Sequence, residues 1–377
     1  MIETLVLSEP VAPPWHHDPR ALVRNLVRHC PDVQHHVLTT ADAQLELDHV
    51  TEERFYSERE AVDGTAASIS QNARMLLRLL RPDQQRLYHL FMPLDSPATR
   101  MARRVLSMKQ RATVQTVVQT PQSFDDIEKL LFADRVVALS EHTKQRLEAA
   151  GVDGVIHVPP GITPPVAYDS TQRLLHRAEF GFAADRAAVV FPGHYGPDRA
   201  AFLFAAAIEQ LAPAIDLTFA FACHVRNEAE RAVEQQLKAR LSHLVERRRV
   251  RFIGDLQRRD ALLAAADLVV YPNTSTAGQL DVPLVLLDSL AARTPILISD
   301  LAPQNEVLGT ATRAPRAPVG HAVPPRDPDA LAAAIAEMVC DKPRLDAMGH
   351  SGRIWVDARY HARSMGAAHA LLYLSLE

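Results

Sequence analysis

The stretch FIGDLQRRDALLAAADLVVYPNTSTAGQLDVPLVLLDSLAARTPILISDLAPQNE, residues 252–306, decides the fold class. An apolar helix pattern leads into the buried-strand pattern Leu268–Tyr271, and Pro272 ends that strand. A second helix pattern at Leu284–Ala292 leads into a second strand pattern at Pro295–Ser299. Strands that alternate with helices in this way predict a parallel sheet with helices on its faces.

The polar loop Asn273–Asp281 lies between the first strand pattern and the second helix pattern. In parallel sheets, ligands bind at the carboxyl ends of strands, beside the N-termini of the helices that follow. The loop is therefore a candidate site for a phosphate group and a sugar.

The same alternation runs through both halves of the chain. Further strand patterns occupy residues 3–7, 36–38, 87–91, 113–118 and 135–139 in the first half, and 188–191, 217–222 and 250–253 in the second. Ser140 is placed to cap the helix that follows it, and Gly151 to end that helix. The proline-dense segment VPPGITPPVAYDS, residues 158–170, is typical of a linker between two domains.

Several motifs resemble those of retaining family-4 glycosyltransferases (glycosyl transferases group 1), which have the GT-B fold. They are ADLVVYP (266–272), LDSLAARTP (287–295), VVALSEHT (136–143), VPPGI (158–162) and YHARSM (360–365). The resemblance implies an α/β protein of two Rossmann-like domains whose parallel sheets face a central cleft. It implies an acceptor-side domain at 1–162, a nucleotide-sugar-binding domain at 163–355, and a C-terminal helix at 356–377 that crosses back to the first domain.

The composition sets limits on the partners. The chain has 377 residues, 47% of them hydrophobic, and a net charge of −4 without a long run of either sign. This argues against a general nucleic-acid binder, which would carry a basic stripe. The arginine cluster at residues 247–251 is interpreted as a solvated helix end, with contact to anionic lipid headgroups as the alternative.

Three widely spaced cysteines, Cys30, Cys223 and Cys340, suggest no disulfide framework or zinc site, and predict buried free thiols in a reducing cytoplasm. The first residues lack the pattern of a signal peptide, and no apolar run is long enough to span a membrane. Peripheral attachment at the inner face of a membrane stays open.

The segment FPGHYGPDR, residues 191–199, is interpreted as a turn that binds the donor diphosphate. Backbone N–H groups and a helix N-terminus favour an anion there. By resemblance, Gly193 matches the glycine of the family's diphosphate loop, His194 replaces its arginine, and Arg199 replaces its lysine. The alternative is an ordinary turn between a strand and a helix, with a surface arginine.

Arg226 follows the next strand and is a second candidate phosphate cation, although it could equally begin a charged helix with Glu228 and Glu230. By resemblance, Asp288 matches a glutamate that binds the ribose hydroxyls of the donor. The family's other glutamate falls on Leu280, a departure that leaves Gln279 and Asp281 as substitutes. The peptide N–H groups of Val282 and Leu284 are expected beside the same helix N-terminus.

In the first half, Trp15, His16, His17 and Asp18 follow the first strand and are candidates for acceptor recognition. Adjacent histidines on a loop are usually not metal ligands, so no metal site is assigned to them. Gln119 occupies the position where relatives carry a histidine that contacts the donor sugar. Gln119 and Asp281 are therefore the two candidate catalytic residues.

The resemblance implies a metal-independent, retaining glycosyltransferase without a cofactor, which uses a nucleoside-diphosphate sugar, UDP- or GDP-linked, as donor. The acceptor is a small molecule or a glycan. A catalytically degenerate binding or partner protein with the same fold is the main alternative, because of the changes at Leu280, His194 and Gln119. An epimerase or phosphorylase of this fold has no specific signal in its favour.

Overall fold

The computed structural model describes residues 2–15, 17–41, 43–57, 69–81, 85–94, 97–196, 199–310 and 313–377. The chain divides into two compact units. Unit 1 contains Met1–Thr163, Ala277–Leu284 and Tyr360–Glu377, and unit 2 contains Pro164–Thr276 and Val285–Arg359. The short segment Ala277–Leu284 thus belongs to unit 1, although the residues on both sides of it belong to unit 2.

The strands are β1 Ile2–Leu7, β2 Val33–Thr39, β3 Val50–Arg54, β4 Leu87–Leu90, β5 Ala112–Val117, β6 Arg135–Ala138, β7 Ile156–His157, β8 Ala188–Phe191, β9 Thr218–Ala222, β10 Val250–Ile253, β11 Leu268–Tyr271, β12 Ile296–Ser299 and β13 Gly320–Val323. The helices are α1 Asp18–Arg28, α2 Ile69–Leu80, α3 Pro97–Lys109, α4 Ile127–Leu130, α5 Glu141–Ala149, α6 Ser170–Glu179, α7 Ala200–Leu211, α8 Glu228–Arg240, α9 Ser242–Glu246, α10 Arg259–Ala265, α11 Leu284–Ala291, α12 Pro328–Cys340, α13 Lys342–Arg359 and α14 Ala362–Leu374.

Each unit is built on one parallel sheet. The order is β3-β2-β1-β4-β5-β6-β7 in unit 1 and β10-β9-β8-β11-β12-β13 in unit 2. Both orders reverse direction once, between β1 and β4 and between β8 and β11, which is the doubly wound arrangement of Rossmann-like folds. The predicted α/β fold class of two parallel sheets is confirmed.

The core of unit 2 is strongly aromatic. Phe191, Phe204, Phe219 and Phe221 are fully buried, and the rings of Phe204 and Phe221 meet edge to face at 5.1 Å. Apolar strands covered on both faces need no alternation of polar residues, which is why these strands appear in the sequence as continuous hydrophobic runs.

The core of unit 1 contains polar side chains at equivalent depth. His35, His89 and His369 are each at most 1% exposed. His89 lies between two hydroxyl groups, with Tyr373 at 2.6 Å from Nδ1 and Thr116 at 2.7 Å from Nε2. These bonds satisfy both ring nitrogens of His89 inside the sheet.

A buried carboxylate joins α6 to β11 in unit 2. Asp267 accepts hydrogen bonds from Arg173 at 2.7 Å, from Arg177 at 2.8 Å and from the backbone N–H of Ala188 at 2.8 Å. Burial raises the pKa of Asp267, but these partners outweigh it and hold the pKa below its ordinary value. Asp267 therefore has a structural role within unit 2.

The predicted caps are confirmed. Ser140 Oγ accepts from Thr143 N at 3.0 Å at the start of α5, and Gly151 follows the helix with φ 88°. Asp327 caps α12 in the same way, by accepting from Ala330 N at 2.9 Å. The segment 158–170 contains no helix or strand before α6 begins at Ser170.

Four observations differ from the sequence-based expectations. The predicted C-terminal helix at 356–377 is interrupted, because α13 ends at Arg359 and α14 begins at Ala362. The strands β3, β7 and β13 and the helix α6 were not predicted. Cys30 and Cys223 are buried free thiols as expected, but Cys340 is exposed, because it is the last residue of α12. In the arginine cluster, Arg249 donates to the carbonyls of Leu217 and Ala212, so its charge is used within the fold.

Within the described part of the chain, no helix is both long enough and apolar enough to cross a membrane.

Candidate functional site

The candidate diphosphate turn lies at the point where the strand order of unit 2 reverses. Gly193 and His194 directly follow β8, and Asn273 follows β11, the strand that pairs with β8. Ligands of doubly wound sheets bind at this reversal, outside the carboxyl ends of the strands. The sequence-predicted loops therefore occupy the position that the topology favours for a ligand.

Close packing requires glycine at both glycine positions of this turn. A Cβ atom on Gly193 would lie 2.2 Å from the ring of Phe191, and one on Gly196 would lie 2.5 Å from Nδ1 of His194. His194 Nδ1 in turn accepts a hydrogen bond from Gly196 N at 3.0 Å. His194 therefore stabilises the turn through its side chain, and one of its ring nitrogens is occupied.

Arg199 is the available cation at the end of the turn. It adopts φ 59° at the N-cap of α7, it is exposed, and its guanidinium lies 5.3 Å from the ring centre of Phe202. In the part of the chain that the structure describes, Arg199 forms no ion pair. A guanidinium beside a helix N-terminus is suited to a bidentate contact with phosphate.

Arg226 is also next to the turn, but its charge is partly neutralised. One of its guanidinium nitrogens lies 3.7 Å from the position of a Cβ on Gly196, while Glu230 accepts from Arg226 Nε at 2.8 Å and from its Nη2. Although burial raises the pKa of Glu230, the bonds to Arg226 lower it below its ordinary value. Each interpretation of Arg226 thus agrees with part of the observed geometry. The guanidinium lies beside the turn, and it also pairs with Glu230 of the helix that follows.

Asp288 lies on α11 in unit 2 and pairs with a basic residue that the sequence did not suggest. Arg259 Nη2 donates to Asp288 Oδ2 at 2.5 Å, and the Asp288 side chain is 25% exposed. Burial raises the pKa of Asp288, and Arg259 opposes this rise. A carboxylate that is bound by one arginine keeps further lone pairs that can accept hydrogen bonds from hydroxyl groups.

Asp281 is positioned differently, because its segment belongs to unit 1. The Asp281 carboxylate is 1% exposed and accepts from Thr120 Oγ1 at 2.8 Å and from Ser140 Oγ at 2.7 Å. Its backbone N–H donates to Val118 O at 3.2 Å. Burial raises the pKa of Asp281, and the surrounding hydroxyls, first that of Thr143, oppose the rise. These contacts are those of a residue that holds the segment in position.

The neighbours of Asp281 in the segment are mainly apolar and buried. Leu280 is 5% exposed, Val282 and Leu284 are 1% exposed, and Gln279 is half-buried. The backbone N–H of Leu284 donates to Asp18 Oδ2 at 2.9 Å. The structure thus brings together Asp18 and Leu284, two predicted site residues that the sequence assigned to different substrates.

The acceptor-side candidates follow β1, where the strand order of unit 1 reverses. The ring of Trp15 lies 4.4 Å from the guanidinium carbon of Arg24, and His17 Nδ1 is 3.5 Å from a carboxylate oxygen of Glu9. His16 lies outside the described residues. Among the residues that are described, no three His, Cys, Asp or Glu side chains are arranged as metal ligands.

Gln119 follows β5 and is half-buried. It stands between Val118 and Thr120, two of the residues that bind Asp281. The two candidate catalytic residues, Gln119 and Asp281, are thus brought into one neighbourhood by the structure.

Four partners of the candidate residues were not identified from the sequence as site residues. Glu230 and Arg259 pair with candidate residues, and Thr120 and Ser140 hold Asp281. Glu230 was visible four residues after Arg226, at the spacing that places two side chains on one helix face. The other three lie far from their partners in sequence, so no local pattern marks them.

A comparison with protein families identifies the core of unit 2. Residues 186–341 match the model of the family described as "Glycosyl transferases group 1". Over this region the chain is therefore similar to the glycosyl transferases group 1 family. The match contains the candidate diphosphate turn, Arg226, Asp281 and Asp288, and it confirms the family resemblance stated above.

One curated relative is the GDP-mannose-dependent monoacylated alpha-(1-6)-phosphatidylinositol monomannoside mannosyltransferase of Corynebacterium glutamicum. It is 32% identical over 122 residues, which cover 31% of this chain and 30% of the relative. The chain thus matches less than a third of the length of this relative.

Solved structures share the fold over the whole chain. Anabaena Alr3699/HepE in complex with UDP and glucose has a TM-score of 0.78 at 15% identity, with 100% of both chains covered. Sucrose-phosphate synthase from Thermosynechococcus elongatus has a TM-score of 0.75 at 17% identity, with 100% of this chain and 99% of that chain covered. The fold is therefore that of GT-B glycosyltransferases.

Proposed function

We propose that this protein is a glycosyltransferase that moves a sugar from a nucleoside-diphosphate sugar to an acceptor hydroxyl, with retention of the anomeric configuration. The observation that carries the proposal is the turn after β8, where Gly193, His194 and Arg199, which forms no ion pair among the described residues, meet the start of α7 inside the region that matches the group 1 family model. Unit 2 binds the donor, and unit 1 supplies the acceptor surface around Trp15, His16, His17 and Asp18.

The diphosphate leaving group is stabilised by unit 2. The anomeric carbon–oxygen bond breaks with oxocarbenium-like charge on the sugar, and negative charge develops on the departing phosphate. Backbone N–H groups of the turn and Arg199 stabilise that charge, with a smaller contribution from Arg226 because Glu230 shares it. Asp288 binds the ribose hydroxyls.

The acceptor is deprotonated by the donor itself in this mechanism. The leaving phosphate takes the proton of the acceptor hydroxyl on the same face of the sugar, so the new bond forms with retention and without a protein base or a metal. Gln119 hydrogen-bonds a sugar hydroxyl. Asp281, with both carboxylate oxygens bound to hydroxyl groups, holds the backbone of Gln279 and Val282 in place for the donor.

The names of similar proteins suggest which donors to test, and the free cysteines suggest a compartment. The curated relative is named as GDP-mannose-dependent, and a structure of the same fold contains UDP and glucose, so GDP- and UDP-sugars are the first donors to test. The free cysteines fit a reducing compartment, and we place the reaction in the cytoplasm.

Nucleotide-dependent thermal stability tests the donor site. The melting temperature is measured with UDP, GDP, TDP and ADP, each with and without the linked sugar. A ligand at a hundred times its dissociation constant adds about 2.7 kcal/mol to the stability, so one nucleotide is expected to raise the melting temperature by a few degrees. Arg199→Ala and Asp288→Asn reduce this rise, each compared with its own ligand-free protein.

Arg247→Ala is the matched control, because Arg247 is an exposed arginine of unit 2 outside the turn. No rise with any nucleotide in a folded sample contradicts the donor site. Once a donor is found, NMR of the product gives the anomeric configuration, and an inverted product contradicts retention. Loss of activity in EDTA that is restored by a divalent cation contradicts metal independence.

A degenerate binding protein with the same fold is the second candidate. Its support is the buried Leu280 at the family's glutamate position, together with the pairing of Arg226 with Glu230. This candidate predicts nucleotide binding without turnover. Transfer of sugar to any acceptor, or hydrolysis of the donor that is lost in Arg199→Ala, excludes it.

A further inference from the structure

Positive charge is concentrated on two neighbouring helices of unit 1, although the chain as a whole is acidic. The chain has 45 Asp and Glu against 41 Lys and Arg. The segments 69–81 and 97–111, which contain α2 and α3, have no acidic residue. They carry Arg74, Arg78, Arg81, Arg100, Arg103, Arg104, Lys109 and Arg111, of which Arg78 is paired with Glu53. Such segregation creates a local positive potential that the net charge of the chain conceals.

A broad open cavity of about 1210 Å³ runs along α3. Its cationic lining consists of Arg100, Arg103, Arg104, Arg111, Lys129 and Arg135. Its carboxylate is Asp134, one oxygen of which already accepts from the backbone N–H and the hydroxyl of Thr113, both at 2.8 Å. Lys129 also pairs with Asp126 at 2.7 Å. Among the described residues, the arginines of the lining therefore outnumber its carboxylates.

Several of these cations are available to an external anion. Arg104 and Arg111 are exposed, and within the described residues neither forms an ion pair. Arg103 donates to the carbonyl oxygen of Lys129, and Arg135 donates to that of Asp134 at 2.8 Å, so these two guanidinium groups also keep an uncompensated charge. The lining thus matches a surface that presents several negative charges at once.

Exposed apolar side chains stand beside the cations. Leu77 and Leu80 of α2 are 62% and 51% exposed, and Met108 of α3 is 69% exposed. The C-terminal ends of the two helices meet, because Lys109 Nζ donates to the carbonyl oxygen of Arg81 at 2.9 Å. Large apolar side chains among arginines are typical of surfaces that enter the headgroup region of a membrane.

We propose that α2, α3 and the cavity along α3, together called the basic face, dock on a membrane surface that carries anionic phospholipid headgroups. The arginines bind headgroup phosphates, and Leu77, Leu80 and Met108 enter the interface. The exposed apolar side chains favour a lipid surface over a nucleic acid, which would leave them in water. This inference does not depend on the donor assigned above.

The basic face is separate from the candidate catalytic residues of unit 1. The cavity reaches Gln110–Thr113 and Asp134–Arg135, which lie at the amino ends of β5 and β6. Gln119 and Ser140 follow the carboxyl ends of the same strands. Docking through the basic face therefore leaves the carboxyl edge of the sheet accessible.

Co-sedimentation of the full chain with vesicles tests the proposal. Vesicles of phosphatidylcholine alone are compared with vesicles that also contain phosphatidylglycerol. Binding is expected only with the anionic lipid, and it weakens as salt is added. Neutralising one arginine near the surface weakens binding about fivefold, so Arg104→Gln with Arg111→Gln is expected to weaken it about 25-fold. Met108→Ser is expected to weaken vesicle binding by the same factor at low and at high salt.

Arg316→Gln with Arg326→Gln is the matched control, because both arginines are exposed on unit 2 and form no ion pair in the described part of the chain. Equal binding to both vesicle types, or an equal loss in this control, overturns the proposal. So does saturable binding of inorganic pyrophosphate or of an oligonucleotide without vesicle binding. The Arg104 and Arg111 variants keep the nucleotide-induced thermal shift, which separates a failure here from a failure of the donor site.

Discussion

Unit 1 and unit 2 share one order over six strands, to which unit 1 adds β7, but they have different kinds of interior. The centre of unit 2 is formed by phenylalanine rings, whereas the centre of unit 1 holds His35, His89 and His369 beside the hydroxyl of Tyr373. The doubly wound topology is therefore compatible with either chemistry. What differs is the cost of each interior when conditions change, because an aromatic core responds to lost volume and an imidazole cluster responds to protons.

The largest expected difference between the two units is in their stability at acid pH. Burial lowers the pKa of His35 to about 3 and that of His369 to about 4, and it holds the pKa of His89 well below its ordinary value. Below pH about 6.5 the unfolded chain binds protons that folded unit 1 does not bind, so stability is complete above that pH and is lost as the pH falls. At pH 5 each of these three imidazoles lowers the free energy of unfolding by about 2 kcal/mol. Hydrogen exchange at pH 7 and pH 5 is expected to show that unit 1 loses protection and unit 2 does not.

His369→Leu makes this test sharper. Among the described residues, His369 Nε2 is buried without a hydrogen-bond partner, and Nδ1 bonds the carbonyl oxygen of Met365 at 2.9 Å. Leucine therefore removes a titrating group and only one bond to a carbonyl of its own helix. The number of protons that unit 1 takes up when it unfolds in acid then decreases by one. His350→Leu, at an exposed position of unit 2, is the control and leaves the profile unchanged. Equal acid sensitivity of both units would show that the imidazole cluster is not the cause.

The second contrast tests the aromatic core. Phe204 is fully buried between Phe191, Phe219 and Phe221, and Phe204→Ala leaves a cavity that these rings fill only in part. A loss of about 3–5 kcal/mol in the free energy of unfolding of unit 2 is expected, with no change between pH 7 and pH 5. Urea unfolding followed by hydrogen exchange measures it for each unit. Ile354→Ala, at a side chain that is 54% exposed, is the control and stays below about 1 kcal/mol.

The sequence predicted the parts of both sheets that depend on short-range pattern. Buried strands such as β8 and β11 are continuous apolar runs between turns, and both were predicted within a residue of their observed bounds. β3 was missed because its sequence, VTEER, is charged and lies at the edge of the sheet, where one side faces solvent. β7 has only two residues and β13 begins with a glycine, so neither has the length or composition that marks a strand.

The candidate site was predictable to a similar extent. The position of Gly193 and His194 followed from the end of a strand, since parallel topology alone determines which edge carries the loops. The partners of Asp281 and Asp288 did not follow, because Ser140 and Arg259 approach them from other parts of the chain, 141 and 29 residues away. Long-range pairs of polar side chains leave no local pattern, and only the packed fold determines them.

The smallest contrast compares two helix caps, one in each unit. Ser140 caps α5 by accepting from Thr143 N at 3.0 Å, and Asp169 caps α6 by accepting from Gln172 N at 2.7 Å. Asp169→Ala removes only a cap and is expected to cost about 1 kcal/mol. Ser140→Ala also removes the hydroxyl that donates to buried Asp281, so it is expected to cost about 1–2 kcal/mol more.

The two variants are compared by thermal unfolding and by proteolysis of the segment Ala277–Leu284. If Asp281 holds this segment on unit 1, Ser140→Ala exposes it to cleavage and Asp169→Ala does not. Ser140→Gly is the further control, because glycine is tolerated at an N-cap position and isolates the loss of the bond to Asp281. If Ser140→Ala and Asp169→Ala lose the same stability and leave the segment equally protected from cleavage, then Thr120 holds Asp281 without Ser140. The bond from Ser140 to Asp281 would then be redundant.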